Sequence, residues 1–449
     1  MRHRPPTTQI LVEAVLASPL IHELATVVPH RRVGRTARHP VALHLAWAVL
    51  ARGFGSGNRL DAEIARSDLW PQIIERYNES AAAHPDGVLV SANIDRLYAD
   101  THRHTRDRFC EPDNLDRLTE AFTAASVDLA RDIGLLNSTT RGSRTHPNAL
   151  NAIYGDGTIL RPIYRGDDGH RSDPDAVTHH RHDGTVVGTK LVHFAVRGPE
   201  PHRRIMLAVG HVPEPGREAE HSVGLIRRIH QHAGDGISAV VYDGAFRGTH
   251  HHEIMTDLGV VVVNKPHGTR SNRPRTLTLG TWTHSTRAGE CEHALVAHGG
   301  NVCDATLDDA GNATLSDPLE RAQVRRYERP DNRYRFSLGV KVRCAAGDFT
   351  AWISPHPGPG DTTAGRADQL RLVSPHEPLF AELYGLRNDS EAINANYKST
   401  HVYDRAPVLG WRRQLFDLLA WSILNNSIAW WHHAPDAAAR RVGAAQNAA

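Results

Sequence analysis

The sequence predicts an α/β protein: a mixed sheet flanked by helices, interrupted by a β-rich insertion and preceded by a helical N-terminal region. Two continuous apolar runs, residues 237–242 and 260–263, are typical of strands that are buried on both faces. Helix-period and strand-like segments alternate around these runs, which gives the chain order β-β-β-α-β-α-β. We therefore expect a sheet of mixed strand direction.

Residues 1–145 read as a mainly helical region. Asp113 is expected to cap a long amphipathic helix, and Glu13 interrupts the first apolar run, which therefore predicts a short amphipathic helix rather than a signal peptide. Helices are predicted over 10–20, 40–52, 67–78 and 113–136.

The sheet-containing core is expected in two parts, 146–266 and 376–433. Glycine-, proline- and threonine-rich sequence separates them and predicts a β-rich insertion at 267–375. The alanine-rich residues 434–449 are expected to form a disordered tail. Core elements are predicted over 149–154, 186–196, 204–212, 217–232, 237–242, 249–258, 260–263 and 411–431, with insertion strands over 335–343 and 349–353.

Composition excludes several classes of protein. Hydrophobic residues make up 40% of the 449 and charged residues 23%, as in ordinary globular proteins. No apolar run approaches the ~20 residues needed to cross a bilayer, so we expect a cytoplasmic protein without a membrane partner. Four cysteines are too few for a disulfide framework. Only four of the 52 basic residues are lysines, so each one is worth locating: Lys190, Lys265, Lys341 and Lys398.

Two aspartates are expected at the carboxyl ends of buried strands. Asp156 and Asp243 each follow an apolar run directly. Carboxylates in this position face the crevice where α/β proteins bind ligands. However, Asp-Gly is also a common turn dipeptide, and for either residue alone the turn is favoured.

A third acidic residue lies on a predicted helix together with cations and a phenol. At ~100° per residue, positions spaced 0, 3, 7 and 14 share an arc of about 60° on one helix face. An amphipathic helix with a solvated polar face is the alternative. The four residues are Tyr384, Arg387, Glu391 and Lys398.

The spacing Tyr-x2-Arg-x3-Glu-x6-Lys resembles the signature of a large family of DDE insertion-sequence transposases. The likeness extends over roughly residues 145–433, with Gly-Asp-Gly-Thr around Asp156, Val-Gly-Thr-Lys at 187–190 and a β-rich insertion before the glutamate helix. Two features depart from the family. Asp243 is followed by Gly-Ala-Phe instead of a Gly-Tyr type of sequence, and the N-terminal region has no recognisable helix-turn-helix.

The resemblance implies a ribonuclease H-like core in which Asp156, Asp243 and Glu391 are catalytic and hold two Mg²⁺ or Mn²⁺ ions. Hard carboxylate oxygens suit these cations, and two ions about 3.5–4 Å apart serve phosphoryl transfer. It also assigns Tyr384, Arg387 and Lys398 to DNA phosphate binding; arginine and lysine suit such contacts.

A transposase of this kind would cut DNA at its terminal inverted repeats and transfer the freed ends into target DNA. The N-terminal helices would bind the ends, and a homodimer on DNA would pair two of them. Two alternatives remain open. One is a metal-dependent nuclease without strand transfer, and the other is a catalytically silent DNA-binding protein derived from a transposase.

Several weaker signals have ordinary structural interpretations. Cys291, His293, His298 and Cys303 could bind zinc, but their spacing fits no standard finger, and buried thiols with surface histidines are favoured. His250–His252 are expected to form a solvated helix start. Trp282 is expected to be a packed aromatic, although an insertion tryptophan can stack on a DNA base in similar transposases. Two basic runs fit DNA contact and plain exposure equally well: Arg31, Arg32, Arg35, Arg38 and Arg325, Arg326, Tyr327, Arg329, Arg333, Tyr334, Arg335.

Overall fold

A computed structural model describes residues 7–29, 38–163, 173–181, 184–267, 274–287, 289–307, 313–357 and 365–434. The chain divides into two units. Unit 1 comprises Met1–Leu135, Gly157–His221 and Ala392–Ala449, and unit 2 comprises Leu136–Asp156 and Ser222–Glu391. These units cut across the segment boundaries expected from the sequence, because strand β1 (Ala152–Leu160) and helix α11 (Pro378–Ser399) each belong partly to both.

The first part of unit 1 is helical. The long helix α7 begins at Pro112, one residue before the expected cap Asp113, and it ends at Asp132 because Gly134 adopts a φ of +80°. The helices are α1 (Thr8–Ala17), α2 (Leu20–Thr26), α3 (Val41–Gly53), α4 (Gly57–Arg66), α5 (Leu69–Ala83), α6 (Ala99–Phe109) and α7 (Pro112–Asp132).

The sheet strands of unit 1 centre on β3 (Gly184–Arg197). Strand β2 (Val177–Arg181) pairs antiparallel with the first part of β3 and β4 (Arg204–Val212) with the second part, and β1 is a neighbour of β3 in the same sheet. The buried helix α12 (Trp411–His433) packs on β4 and α7. No helix in the described part of the chain combines the length and apolar character needed to span a bilayer.

A buried asparagine joins α12 to the sheet. Asn426 accepts the backbone N–H of Met206 (2.8 Å) and donates to the carbonyl of the same residue (2.9 Å) and to the hydroxyl of Ser126 on α7 (2.9 Å). All its polar atoms therefore have partners, as a buried amide requires.

Unit 2 contains the parallel part of the sheet. The first half of β1 pairs parallel with β5 (Ala239–Val241), and β5 pairs parallel with β6 (Val261–Val263). Along the chain, β1, β3, β4, α8, β5, α9 and β6 follow the predicted order, and the predicted mixed α/β class is confirmed. The helices are α8 (Glu218–Ala233), α9 (Gly248–Glu253), followed by a π-helical turn over Ile254–Leu258, and α10 (Gly365–Gln369).

The insertion in unit 2 contains two antiparallel sheets, and β12 and β13 had been predicted. The others were missed because their sequences are polar and only partly buried. One sheet has the order β10-β9-β8-β7, and the other has the order β11-β12-β13. The strands are β7 (Thr276–Thr286), β8 (Gly289–His298), β9 (Asn301–Leu307), β10 (Ala313–Leu315), β11 (Arg321–Glu328), β12 (Tyr334–Val342) and β13 (Phe349–Ile353).

Two sequence predictions lie outside the described residues. They are the basic cluster at Arg31, Arg32 and Arg35, and the tail beyond Ala434.

Candidate active site

Asp156 lies within a strand. Strand β1 continues to Leu160, so the prediction that the strand ends before Asp156 is wrong, and so is the alternative of an Asp-Gly turn. The flanking glycines suggest a turn, but the strand continues through them. In unit 1, a Cβ at Gly157 would meet the carboxylate of Glu218, which is paired with Lys190 of β3. A larger residue at this position would therefore displace the end of the Glu218 side chain.

Asp243 follows β5, as predicted, and opens a tight turn. Its Oδ1 accepts the N–H of Ala245 (2.8 Å). The side chain of Asn264 donates to the carbonyls of Asp243 (3.0 Å) and Phe246 (3.2 Å). The fully buried Arg371 in turn donates to the Asn264 carbonyl (3.0 Å). The side chain of Asn264, which directly follows β6, therefore fixes the backbone that carries Asp243, and Arg371 holds Asn264 in turn.

The sheet register brings the two aspartates to the same level. Ala152 pairs with Ala239 and Tyr154 with Val241 in the parallel β1–β5 ladder. The ladder ends there, and continuing its register by two residues would set Asp156 opposite Asp243, which lies in the turn after β5. Neighbouring strands are about 4.8 Å apart, so the two half-buried carboxylates would be close to each other at the carboxyl end of β5.

Helix α11 is attached to β1 beside these aspartates. The hydroxyl of Tyr154 donates to the carboxylate of Asp389, and both side chains are buried. This contact lies two residues from Asp156 on the strand and two residues from Glu391 on the helix. It therefore sets the position of Glu391 relative to β1.

Arg387 and Tyr384 of α11 lie in the field of all three acids. Burial lowers the pKa of Arg387, but Tyr384 and the carboxylates of Glu391, Asp156 and Asp243 outweigh it and leave the pKa raised. The pKa of Tyr384 is raised by burial and, against the effect of Arg387, by the same three carboxylates. All three carboxylates are therefore near enough to Arg387 and Tyr384 to interact with them electrostatically.

Arg387 and Glu391 form an ion pair on the helix surface. Nη1 of Arg387 lies 2.6 Å from Oε1 of Glu391. Nε of Arg387 is buried and has no hydrogen-bond partner within the described residues. An arginine with an unused donor is suited to an additional anion, such as a phosphate oxygen.

The donor set fits hard divalent cations. Three carboxylates are the oxygen ligands that Mg²⁺ and Mn²⁺ prefer. Among the described residues, their oxygens do not form a group with all atoms within 4.8 Å of one another. Two unneutralised carboxylates 4 Å apart would repel each other by about 4 kcal/mol at an effective dielectric of 20. The pairing of Glu391 with Arg387 relieves this repulsion.

Lys398 lies in the last turn of α11, in the part of the helix that belongs to unit 1. It is seven residues beyond Glu391, which is about 10.5 Å along the helix axis. Its assignment to a DNA phosphate stays a prediction.

Sequence reasoning did not select two further residues near the site. Lys265 follows β6, and its ammonium lies 5.4 Å from the centre of the Tyr384 ring. The rarity of lysine and its position after a buried strand could have identified it. Asp389 bears the contact to β1 and lies within the motif helix, but no local pattern distinguishes it from a solvated acid.

The other predicted candidates have mixed outcomes. His251 is 2% exposed and burial lowers its pKa well below 6.5, so the expected solvated helix start is wrong for this residue. His298 contacts Thr276 (2.8 Å) and Cys303 is buried in β9. The four-residue zinc set is therefore not assembled, but Cys344 joins Cys291 and His293 instead.

The aromatic candidates of the insertion are used partly for packing. Trp282 is half-buried on β7. The guanidinium of Arg325 lies 3.8 Å from the centre of the Trp352 ring, and that of Arg326 lies 4.5 Å from the Tyr334 ring. These stacking contacts occur within unit 2, and DNA contact by this run stays a prediction.

No protein-family model matches the chain, and no curated protein matches it either.

Proposed function

We propose that unit 2 carries the active site of a metal-dependent enzyme that transfers phosphoryl groups of DNA. Within this class, we propose a DDE transposase with a ribonuclease H-like core. The observation that supports this most directly is the shared electrostatic neighbourhood of Arg387 and Tyr384 with Asp156, Asp243 and Glu391. Metal-dependent phosphoryl transfer needs acids that bind the cations and donors that bind the phosphate. The three acids, together with Arg387 and Tyr384, would supply both.

Each side chain then has a defined task. Asp156, Asp243 and Glu391 would hold two Mg²⁺ or Mn²⁺ ions, which, when bound, activate an oxygen nucleophile and stabilise the leaving oxygen. Arg387 would bind the phosphate with its unused Nε donor and with the nitrogen that pairs with Glu391. Tyr384 would donate its phenol proton to a phosphate oxygen.

The organisation of the chain supports transposition within this class. The strand and helix order of the core, and an insertion that precedes the glutamate helix, agree with the resemblance based on the spacing of α11. The N-terminal helices would bind transposon ends, and Lys398 would contact the same DNA. Two ends must meet, so a homodimer on DNA is expected.

The test uses the full chain and a plasmid that carries the genomic DNA flanking this reading frame. Asp156→Asn, Asp243→Asn and Glu391→Gln should each lower Mg²⁺-dependent cleavage by about 10²–10⁴-fold, because each removes several kcal/mol of stabilisation of the metal-assisted transition state. Glu382→Gln is the matched control. It is exposed on the same helix, nine residues before Glu391 and therefore about 180° around the axis.

Full cleavage by any one of the three variants would contradict the assignment. A labelled donor end distinguishes the related functions. Its integration into a target plasmid supports a transposase, whereas cleavage without integration indicates a nuclease. DNA binding without cleavage in either Mg²⁺ or Mn²⁺ would indicate a silent DNA-binding protein.

A further inference from the structure

The insertion contains a cluster of two thiols and an imidazole that the carboxylate site does not use. One potential ligand atom from each of Cys291, His293 and Cys344 lies within 4.8 Å of the other two. Cys291 and His293 are two apart on β8, so they face the same side of the sheet. Cys344 lies between β12 and β13, in a turn that Gly347 closes with a φ of +116°. Two neighbouring positions of β8 and a third position much further along the chain thus converge.

The imidazole of His293 is oriented as a metal ligand would be. Its Nδ1 lies 2.6 Å from Oδ2 of Asp304 on the neighbouring strand β9. Nε2 is buried and has no hydrogen-bond partner within the described residues. A carboxylate on one ring nitrogen fixes the tautomer that leaves a lone pair on the other nitrogen, and metal-binding histidines commonly have such a partner.

The thiols lie where backbone amides can stabilise sulfur charge. The N–H of Ala346 points to Sγ of Cys344 (3.3 Å). The N–H groups of Ala345 and Ala346 also interact with Cys291. Backbone N–H groups of the turn that carries Cys344 therefore approach both sulfur atoms.

We propose that Cys291, His293 and Cys344 bind a zinc ion. Sulfur and imidazole donors select zinc rather than magnesium. With Zn–S of about 2.3 Å and Zn–N of about 2.1 Å, ligand atoms of a tetrahedral site lie roughly 3.5–3.8 Å apart, so only small movements are needed. Binding releases the thiol protons to solvent.

His284, which lies outside the group of three, is a candidate fourth ligand. It pairs with Cys291 in the β7–β8 register, and its Nδ1 is buried without a partner within the described residues. The ring of Phe349 stacks on His284 (4.5 Å between centres) and lies near His293 (5.5 Å). This ring would cover one side of the ion.

The zinc ion would hold the two insertion sheets together. Cys291 and His293 belong to the sheet of β7–β10, whereas Cys344 lies in the turn of the β11–β13 sheet. Neither these ligands nor this metal take part in the proposed cleavage chemistry. Zinc binding can therefore be tested independently of DNA cleavage.

The first experiment measures zinc in the full chain, purified under reducing conditions without chelator, by elemental mass spectrometry. We expect about one zinc per chain, as in a structural site. Cys291→Ser and Cys344→Ser should each lose most of the zinc. Cys303→Ser is the matched control, because it removes a buried thiol of β9 that is outside the cluster, and it should retain the metal.

A second experiment does not depend on the folding of the variants. Reduced wild-type protein stripped of metal is titrated with Co²⁺, and thiolate-to-cobalt charge-transfer absorption should saturate at about one equivalent. Failure of the reduced wild type to take up either metal would overturn the proposal. So would equal zinc content in Cys344→Ser and the wild type. An intact mass lower by two hydrogens, with Cys291 linked to Cys344 and no metal bound, would show a redox disulfide instead.

Discussion

Replacing Tyr154 by phenylalanine should disturb the position of Glu391 without changing its carboxylate. The substitution removes a single oxygen, the one that donates to the carboxylate of Asp389. Tyr154 is 0% exposed and Asp389 is 7% exposed, so water does not readily replace the lost donor. Asp156 and Glu391 themselves are unchanged by this substitution.

The expected cost follows from the charge and burial of the acceptor. Hydrogen bonds to charged groups contribute about 1.5–3 kcal/mol, and a partly desolvated carboxylate that loses a donor is at the upper end. We therefore expect the free energy of unfolding to fall by about 1.5–3 kcal/mol. A shift of about 1 Å in a catalytic group can cost 10²-fold in rate, so kcat for DNA cleavage should fall by up to about 10²-fold with KM nearly unchanged.

Urea denaturation and single-turnover cleavage measure the two effects. Tyr403→Phe, at an 88% exposed tyrosine, is the control and should change neither. Asp389→Leu and the Tyr154→Phe/Asp389→Leu double variant complete a double-mutant cycle. The coupling energy should be at least about 1 kcal/mol. A coupling energy below about 0.5 kcal/mol would refute the idea that this pair holds α11 to β1.

Three further predictions concern packing, pH and DNA binding. Gly188→Ala should destabilise the protein by about 1–3 kcal/mol, since its methyl group would overlap the backbone carbonyl of Leu160, whereas Gly224→Ala on α8, with open space around it, should be neutral or stabilising; equal melting temperatures would contradict this. Arg387→Ala should make the slope of log binding constant against log salt concentration shallower by about one phosphate contact. Fluorescence anisotropy at several salt concentrations measures this slope, and an unchanged slope would exclude the contact. Burial holds the pKa of six histidines far below the unfolded value of about 6.5, so the unfolded chain binds more protons; stability should be full above pH 6.5 and fall towards pH 4 by at most about 1.4 kcal/mol per pH unit for each one, and urea midpoints that are equal at pH 7.5 and pH 5 would contradict this. These histidines are His22, His44, His102, His211, His251 and His356.

Local patterns were sufficient for the elements that are buried on both faces. Strands β5 and β6 lie inside the predicted apolar runs, and the bounds of β4 agree with the prediction because apolar residues fill most of it. The strands β7–β11 could not be found in this way. Their polar side chains alternate weakly, and pairing with neighbouring strands rather than burial defines them.

The site shows the same division between local and distant causes. The spacing from Tyr384 to Glu391 is a property of one helix, so it can be read from the sequence. The sequence predicts the end of β1 too early because the glycines on both sides of Asp156 are common in turns, whereas β1 continues to Leu160 as a strand between β3 and β5. The Tyr154–Asp389 contact joins residues 235 positions apart, and no sequence pattern indicates it.

The contrast between two neighbouring acids on α11 suggests how the proposed site would work. Asp389 is buried and held by Tyr154, whereas Glu391 is 53% exposed and, among the described residues, forms its ion pair across one helix turn with Arg387. Such a pair contributes at most about 0.5 kcal/mol, and less when the arginine precedes the glutamate. Glu391 could therefore leave Arg387 at little cost to hold a divalent cation, while Asp389 keeps the helix in place. The guanidinium freed by this exchange would then be available to the phosphate on which the cations act.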